Sequence, residues 1–157
     1  MIDKTPSSLE YCLILLSSAL ELLFNKNNIM NSLIIDAANK KIYLTLIKNE
    51  NIYSISHENS KTNYEKLTIL INDFIKIYDL KIEKISKLYV NRGPGSFAGI
   101  RNSIAVVKAI FVAKKIDYYC FSFNDFDNLH ENKYEKVPSL CDKFNIKKNL
   151  INPIYLS

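Results

Sequence analysis

From residue 32 onward, apolar positions recur first every second residue and later every third or fourth. That change of period separates strands from helices. Ser32 to Ala37 is a short apolar run with β-branched Ile34 and Ile35, and Asp36 lies near its end. Lys41 to Lys48 alternates, with Ile42, Leu44 and Leu46 on one face and Tyr43, Thr45 and Ile47 on the other. Lys48-Asn49-Glu50-Asn51 reads as a turn, and Ile52 to Ser56 pairs back as a third strand. The period then becomes helical. Thr62, with Glu65 three residues on, predicts a capping box. Tyr64, Leu67, Ile71, Phe74 and Tyr78 follow at spacings of 3, 4, 3 and 4, one stripe on a helix over 62–79. Leu70 and Ile77 widen the stripe, and Ile69 and Ile75 lie elsewhere around the cylinder. Such a helix must pack on more than a sheet. Leu88-Tyr89-Val90 is the next strand, and it runs into a glycine-rich loop. A helix opens near Phe97 or Gly99 and continues to about Lys114, with Ile100, Ile104, Val107 and Phe111 as its stripe. Tyr118 to Phe123 predicts a fifth strand, and Asn124 to His130 the start of a third helix.

The predicted order is βββαβαβα: an antiparallel meander, then two strands reached through helical crossovers. This is an α/β layered domain with a mixed five-stranded sheet. The order is that of a single actin-like or Hsp70-like (RNase H-like) lobe. Residues 131–150 are polar and lysine-rich, have no clear period and contain a helix-breaking Pro138, so they read as a loop or small cap. The tail, Ile151 to Ser157, is short, apolar and strand-like.

Leu9 to Phe24 departs from this texture. It is apolar on all sides except for Glu10, Glu21 and two serines. It is shorter than the ~20 residues of a spanning helix, so no membrane span is expected. It also lacks the basic region and cleavage site of a signal peptide. Two readings stand. Met30 is the natural start and 1–29 comes from upstream, or 1–29 is an extra helix that packs on the domain or touches a partner or membrane surface.

Composition sharpens one region. All three glycines, Gly93, Gly95 and Gly99, and both arginines lie between Arg92 and Arg101. An average chain of this length would carry about eleven glycines. Nineteen of the 21 basic residues are therefore lysines, scattered over a chain of net charge +5. No basic run is long enough to make a nucleic-acid patch. At 48% apolar residues the chain is not disordered. Cys12, Cys120 and Cys141 have no metal-ligand spacing, and His57 and His130 stand apart. No metal, cofactor or disulfide framework is expected, and the compartment reads as reducing and cytosolic.

A strand, a glycine-rich turn and a helix together make an anion cradle. Arg92 or Arg101 would add charge. Yet the spacing is neither that of a dinucleotide fingerprint nor that of a phosphate loop. Ser96 has no base at useful spacing. The other reading is structural: Gly93 and Gly95 permit the turn, and Gly99 seats the helix close to the sheet. Asp36 stands where actin-like ATPases and RNase H nucleases place a metal-binding acid. The fourth strand, however, ends in Val90-Asn91-Arg92 without the second carboxylate of a two-metal nuclease. Ala37-Ala38-Asn39 also lacks phosphate-touching hydroxyls.

Gly93-Pro94-Gly95-Ser96-Phe97-Ala98-Gly99-Ile100-Arg101 resembles the signature of the TsaB (YeaZ) family, Gly-Pro-Gly-Ser-Phe-Thr-Gly-Ile-Arg, differing only at Ala98. Ser103 to Ala109 resembles the family's following helix, and Leu33 to Ala38 its opening strand. Asn63-Tyr64-Glu65 lies where the family often has His-Ser-Glu. Pro153-Ile154-Tyr155-Leu156 resembles its closing motif. The resemblance covers Met30 to about Leu129 plus the tail.

The resemblance implies a non-catalytic subunit of a cytoplasmic system that makes threonylcarbamoyladenosine at position 37 of tRNA. The partner implied is a TsaD-type enzyme, together with a TsaE-type ATPase, and the alternative is self-pairing when alone. Contact with tRNA would be indirect or weak. The interface implied lies on the two helices, at Tyr64, Leu67, Ile71, Phe74, Tyr78, Ile104, Val107, Lys108 and Phe111. The loop signature, Asp36, Gly93, Pro94, Gly95, Ser96, Gly99 and Arg101, is then structural or a vestige of phosphate binding, with no catalytic residue. The rival reading is a nucleotide-binding actin-like ATPase or phosphotransferase that uses Asp36 and the loop. The family's second lobe is largely missing. The chain thus divides into an extension (1–29), a lobe (30–130) and a short remnant with the tail (131–157).

Overall fold

The computed structural model describes residues 9, 11–18, 30–126 and 133–155. Five strands form one sheet: β1 (Ser32–Asp36), β2 (Lys41–Lys48), β3 (Asn51–Glu58), β4 (Lys87–Asn91) and β5 (Asp117–Phe121). Their spatial order is β3-β2-β1-β4-β5. β2 pairs antiparallel with both β1 and β3, while β1–β4 and β4–β5 are parallel. The mixed sheet and single α/β lobe expected from the order of elements are present. The β2–β3 turn uses Asn49 (φ 50°) and Glu50 (φ 68°), the paired positive values of a two-residue hairpin.

Between β3 and β4 run α1 (Lys61–Glu65) and α2 (Leu67–Ile77), and between β4 and β5 runs α3 (Phe97–Lys114). The single helix read over 62–79 is therefore two segments meeting at Lys66, whose φ of −95° and ψ of 8° leave helical values. On one side of the break Leu67 is buried, and on the other the Tyr64 hydroxyl reaches Ser96. The N-cap is Ser60, which accepts from the Asn63 amide at 3.3 Å, and not Thr62.

The main core lies between these helices and one face of the sheet. Leu33, Ile35, Ile42, Leu44, Leu46, Leu88 and Val90 meet Leu67, Phe74, Ile75, Ile100 and Val107 there. Each such large side chain contributes roughly 1.5–3 kcal/mol on burial. The opposite face carries a smaller cluster of Ile34, Tyr89, Phe121, Phe126, Val137 and Cys141. Its cover is α4 (Val137–Lys143), in the stretch read as a loop or small cap. Pro138 does not break this helix because it stands in the first turn, where its missing N–H is not needed. Where a third helix was expected to begin there is a 3-10 turn, Phe123–Asp125, capped by Ser122. Residues 127–130 lie outside the described ones.

Residues 11–18 are helical and exposed. Among the described residues, no helix is long and apolar enough to cross a membrane.

Candidate functional site

The end of β1, the end of β4 and the segment before α4 meet at Asp36. Its side chain is fully buried. Oδ1 accepts from the Ala38 amide at 2.9 Å. Oδ2 accepts from Asn39 Nδ2 at 2.9 Å, Asn91 Nδ2 at 2.9 Å and the Tyr134 hydroxyl at 2.8 Å. A buried carboxylate survives when its lone pairs are filled in this way. Tyr134 comes from the segment before α4, stacks on Tyr43 at 5.5 Å and meets Phe123 edge-on. Burial, the Asp36 charge and the bond donated to it push the Tyr134 hydroxyl well above the ordinary phenol range. The phenol therefore keeps its proton and stays a donor. Asp36 orders the turn after β1 and is covered by Tyr134. A cation there would have to displace neutral donors. Among the described residues, no three His, Cys, Asp or Glu groups converge to hold a metal.

Asn91 joins this hub to the loop. While its amide nitrogen holds Asp36, its Oδ1 accepts from the Gly93 amide at 2.9 Å. Gly93 has φ +103°, and a Cβ there would overlap the Ile154 carbonyl oxygen. Gly99, in the first turn of α3, lies so close to β1 that a Cβ would overlap the Ala37 carbonyl. Gly95 abuts the Ala38 carbonyl in the same way. The peptide between Gly93 and Pro94 is cis. The loop's glycines thus bring three backbones together: the turn after β1, the helix start and the C-terminal tail.

Ser96 and Arg92 are both engaged in internal contacts. Ser96 caps α3, with Oγ 3.3 Å from the Gly99 amide, and it shares a 2.9 Å hydrogen bond with Tyr64. Its own amide donates to the Ala38 carbonyl at 2.8 Å. Arg92 is not aimed at a ligand. Its guanidinium spans Asp125, with Nη2 2.5 Å from Oδ1 and Nε 3.3 Å from Oδ2, and Nη1 donates to the Asn152 carbonyl. Arg101 is exposed on α3. The tail closes the assembly: the Ile154 amide donates to the Arg92 carbonyl at 2.7 Å, Tyr155 bridges Gly95, and its ring meets Phe97 at 4.7 Å.

The other feature is a groove of about 700 Å3 between α1–α2 and α3. Its walls are Tyr64, Ile69, Ile71 and Ile75 on one side and Ala105, Val106, Ala109, Ile110 and Ala113 on the other, with Ile82 at one end. Ile69 is 57% exposed. This corrects part of the sequence-based interface. Leu67, Phe74, Ile104 and Val107 are buried in the lobe's own core, because the regular stripe of each helix is the face turned to the sheet. Ile71 is also buried but edges the groove. Tyr78 and Phe111 are half-buried, Tyr78 stacked on Tyr53 at 4.0 Å. Lys108 is exposed. Sequence reasoning missed Ala105, Ala109 and Ala113, whose i, i+4, i+8 spacing was the available signal. It also missed Asn91, Tyr134 and Asp125.

No family model matches the chain. Among solved structures it is similar to YeaZ from Pseudomonas aeruginosa, with 19% identity over 59% of this chain and 44% of that one and a TM-score of 0.56. A second structure, described as an uncharacterized protein with similarity to peptidase YEAZ from Pseudomonas aeruginosa, matches at 19% identity over 59% of this chain and 43% of that one, also with a TM-score of 0.56.

The lobe has the fold of YeaZ.

The chain spans less than half the length of these YeaZ structures, so the shared part is about one lobe. The loop and the groove both belong to the α/β lobe. Burial pushes the Cys120 and Cys141 thiols up to about 12.

Proposed function

We propose that this chain is a TsaB-like, non-catalytic subunit that binds and supports a TsaD-type enzyme in threonylcarbamoylation of adenosine 37 of tRNA. The observation that carries the reading is the open apolar groove between α1–α2 and α3, on a lobe with the fold of YeaZ. The groove is open and lined mainly by apolar side chains, which supports contact with another macromolecule. The Gly93–Arg101 signature supports the family level. The saturated Asp36 and the Asp125-bound Arg92 support a binding role over an ATPase role, since both groups are spent on internal contacts. The remaining elements of the proposal are a TsaE-type ATPase in the same assembly, weak or indirect contact with tRNA, a cytoplasmic location and no resident cofactor.

The test is affinity capture of the tagged full chain from its native cells, with the bound proteins identified by mass, alongside a calorimetric titration with ATP and magnesium. Recovery of a TsaD-type protein and no heat at millimolar nucleotide are expected. Capture without that partner, or saturable nucleotide binding, would overturn the proposal in favour of the ATPase reading.

A further inference from the structure

The described residues of the N-terminal segment, 9 and 11–18, are helical and exposed. Leu9, Leu13, Ile14, Leu15 and Leu16 are each 55–73% exposed. A helix that is apolar on all sides is stable only when buried. The lobe offers one apolar groove among the described pockets, and it lies where the segment enters the fold. Asn31, just before β1, accepts from the Ser86 amide at 2.8 Å and donates from Nδ2 to the Lys84 carbonyl at 2.9 Å. The neighbouring 3-10 turn, Ile82–Lys84, forms the end of the groove: Ile82 lines it, and Glu83 pairs at 2.5 Å with Lys114 on its rim. The chain therefore leaves β1 at the groove's mouth. From Ser18 to Asn31 the connection is long enough to reach about 40 Å when extended. The helix that forms one wall of the groove, α3, has 18 residues and is about 27 Å long, which is within that reach.

The shapes agree as well. Leu9, Leu13 and Leu16 fall at i, i+4 and i+7, one row on one face. Across the groove, the exposed small residues Ala105, Ala109 and Ala113 leave room for a helix to approach α3 closely. Ile69 and Ile110 supply the ridges between which a leucine row would sit.

We infer that the N-terminal helix docks in the groove of its own chain, with Leu9, Leu13 and Leu16 against Ala105, Ala109 and Ile110, and so caps the surface offered to a partner. The cap is a competitor. If it is closed nine-tenths of the time, it weakens partner binding roughly tenfold. The competitive consequence rests on the proposed function; the docking itself does not.

Cys12 is exposed, whereas Cys120 and Cys141 are buried, so a thiol-directed spin label goes to Cys12 alone in the intact chain. Cys12 flanks the leucine row. Paramagnetic broadening of the Ala105, Ala109 and Ile110 amide signals, unchanged on dilution and abolished by Leu13→Asp with Leu16→Asp, is expected. Both substituted leucines are exposed, so the fold is retained. Unbroadened groove signals would overturn the inference. So would broadening that fades on dilution, which would place the helix in a second copy. In a parallel arm, the same double variant should bind a purified TsaD-type protein about tenfold more tightly than the unmodified chain. Docking without any partner binding would refute the proposed function and leave the cap standing. Partner binding without docking would do the reverse.

Discussion

Gly99→Ala sets two effects against each other. In a helix, alanine is favoured over glycine by about 1 kcal/mol, so a free-standing α3 would be stabilised. Gly99, however, is buried, and its added methyl would overlap the carbonyl of buried Ala37, a backbone atom in the turn that follows β1 and that the Asp36–Ala38 hydrogen bond orders. Relief requires α3 to move off β1, which loosens Ile100 and Ile104 in the main core. Overpacking of this kind costs about 1–3 kcal/mol and more when the neighbour cannot yield. Here it cannot, so about 3 kcal/mol is the working figure, leaving a net loss near 2 kcal/mol after the helix gain. For a chain of this size that is a fall in Tm of roughly 4–8 °C. Urea unfolding followed by far-UV circular dichroism gives the free energy. Ala98→Gly, at an exposed position one residue earlier, measures the propensity effect alone. A Gly99→Ala chain as stable as the parent, or more stable, would refute the account of the loop.

Tyr134→Phe keeps the ring stacked on Tyr43 and removes one donor from buried Asp36; a loss of about 1.5–3 kcal/mol in urea unfolding is expected. Native protein should react with a thiol reagent at one cysteine, Cys12, and unfolded protein at three, since Cys120 and Cys141 are buried. The hydrogen bond from Asn149, with that from Lys148, holds the Asp117 carboxyl below its ordinary value. Its stabilising effect is therefore complete above the ordinary carboxylate range, near pH 4, and is lost as pH falls through the lowered value. Asp117→Asn should be slightly less stable at pH 6 and show a flatter decline in stability below pH ~4.

The fold was legible where period alone decides it. Ile42, Leu44 and Leu46 alternate into the core, and the β4–loop–α3 unit stood out by its glycines. The two helical stripes were also legible, but a stripe says that a face is buried and not what buries it. Leu67, Phe74 and Val107 meet their own sheet. The opposite face, with its alanines, carries a weak hydrophobic signal and holds the groove. The Asp36 hub was half visible. Asp36 could be singled out by its place at the end of β1. Its partners Asn91 and Tyr134 lie 55 and 98 residues away in sequence, and no local pattern links them. Pro138 misled because its effect depends on its position within the helix, which sequence without period could not give.

The central claim is that the groove between α1–α2 and α3 is where a partner binds. Isothermal titration of a purified TsaD-type protein from the same cells into the Leu13→Asp, Leu16→Asp chain, taken as parent so that the N-terminal helix does not compete, and into the same chain carrying Ala109→Trp tests it directly. Ala109 is exposed, so the indole fills the groove without disturbing the core. Binding by the parent chain, weakened at least about tenfold (1.4 kcal/mol) in Ala109→Trp with an unchanged Tm, is the predicted result. Equal affinities for the two chains would contradict it.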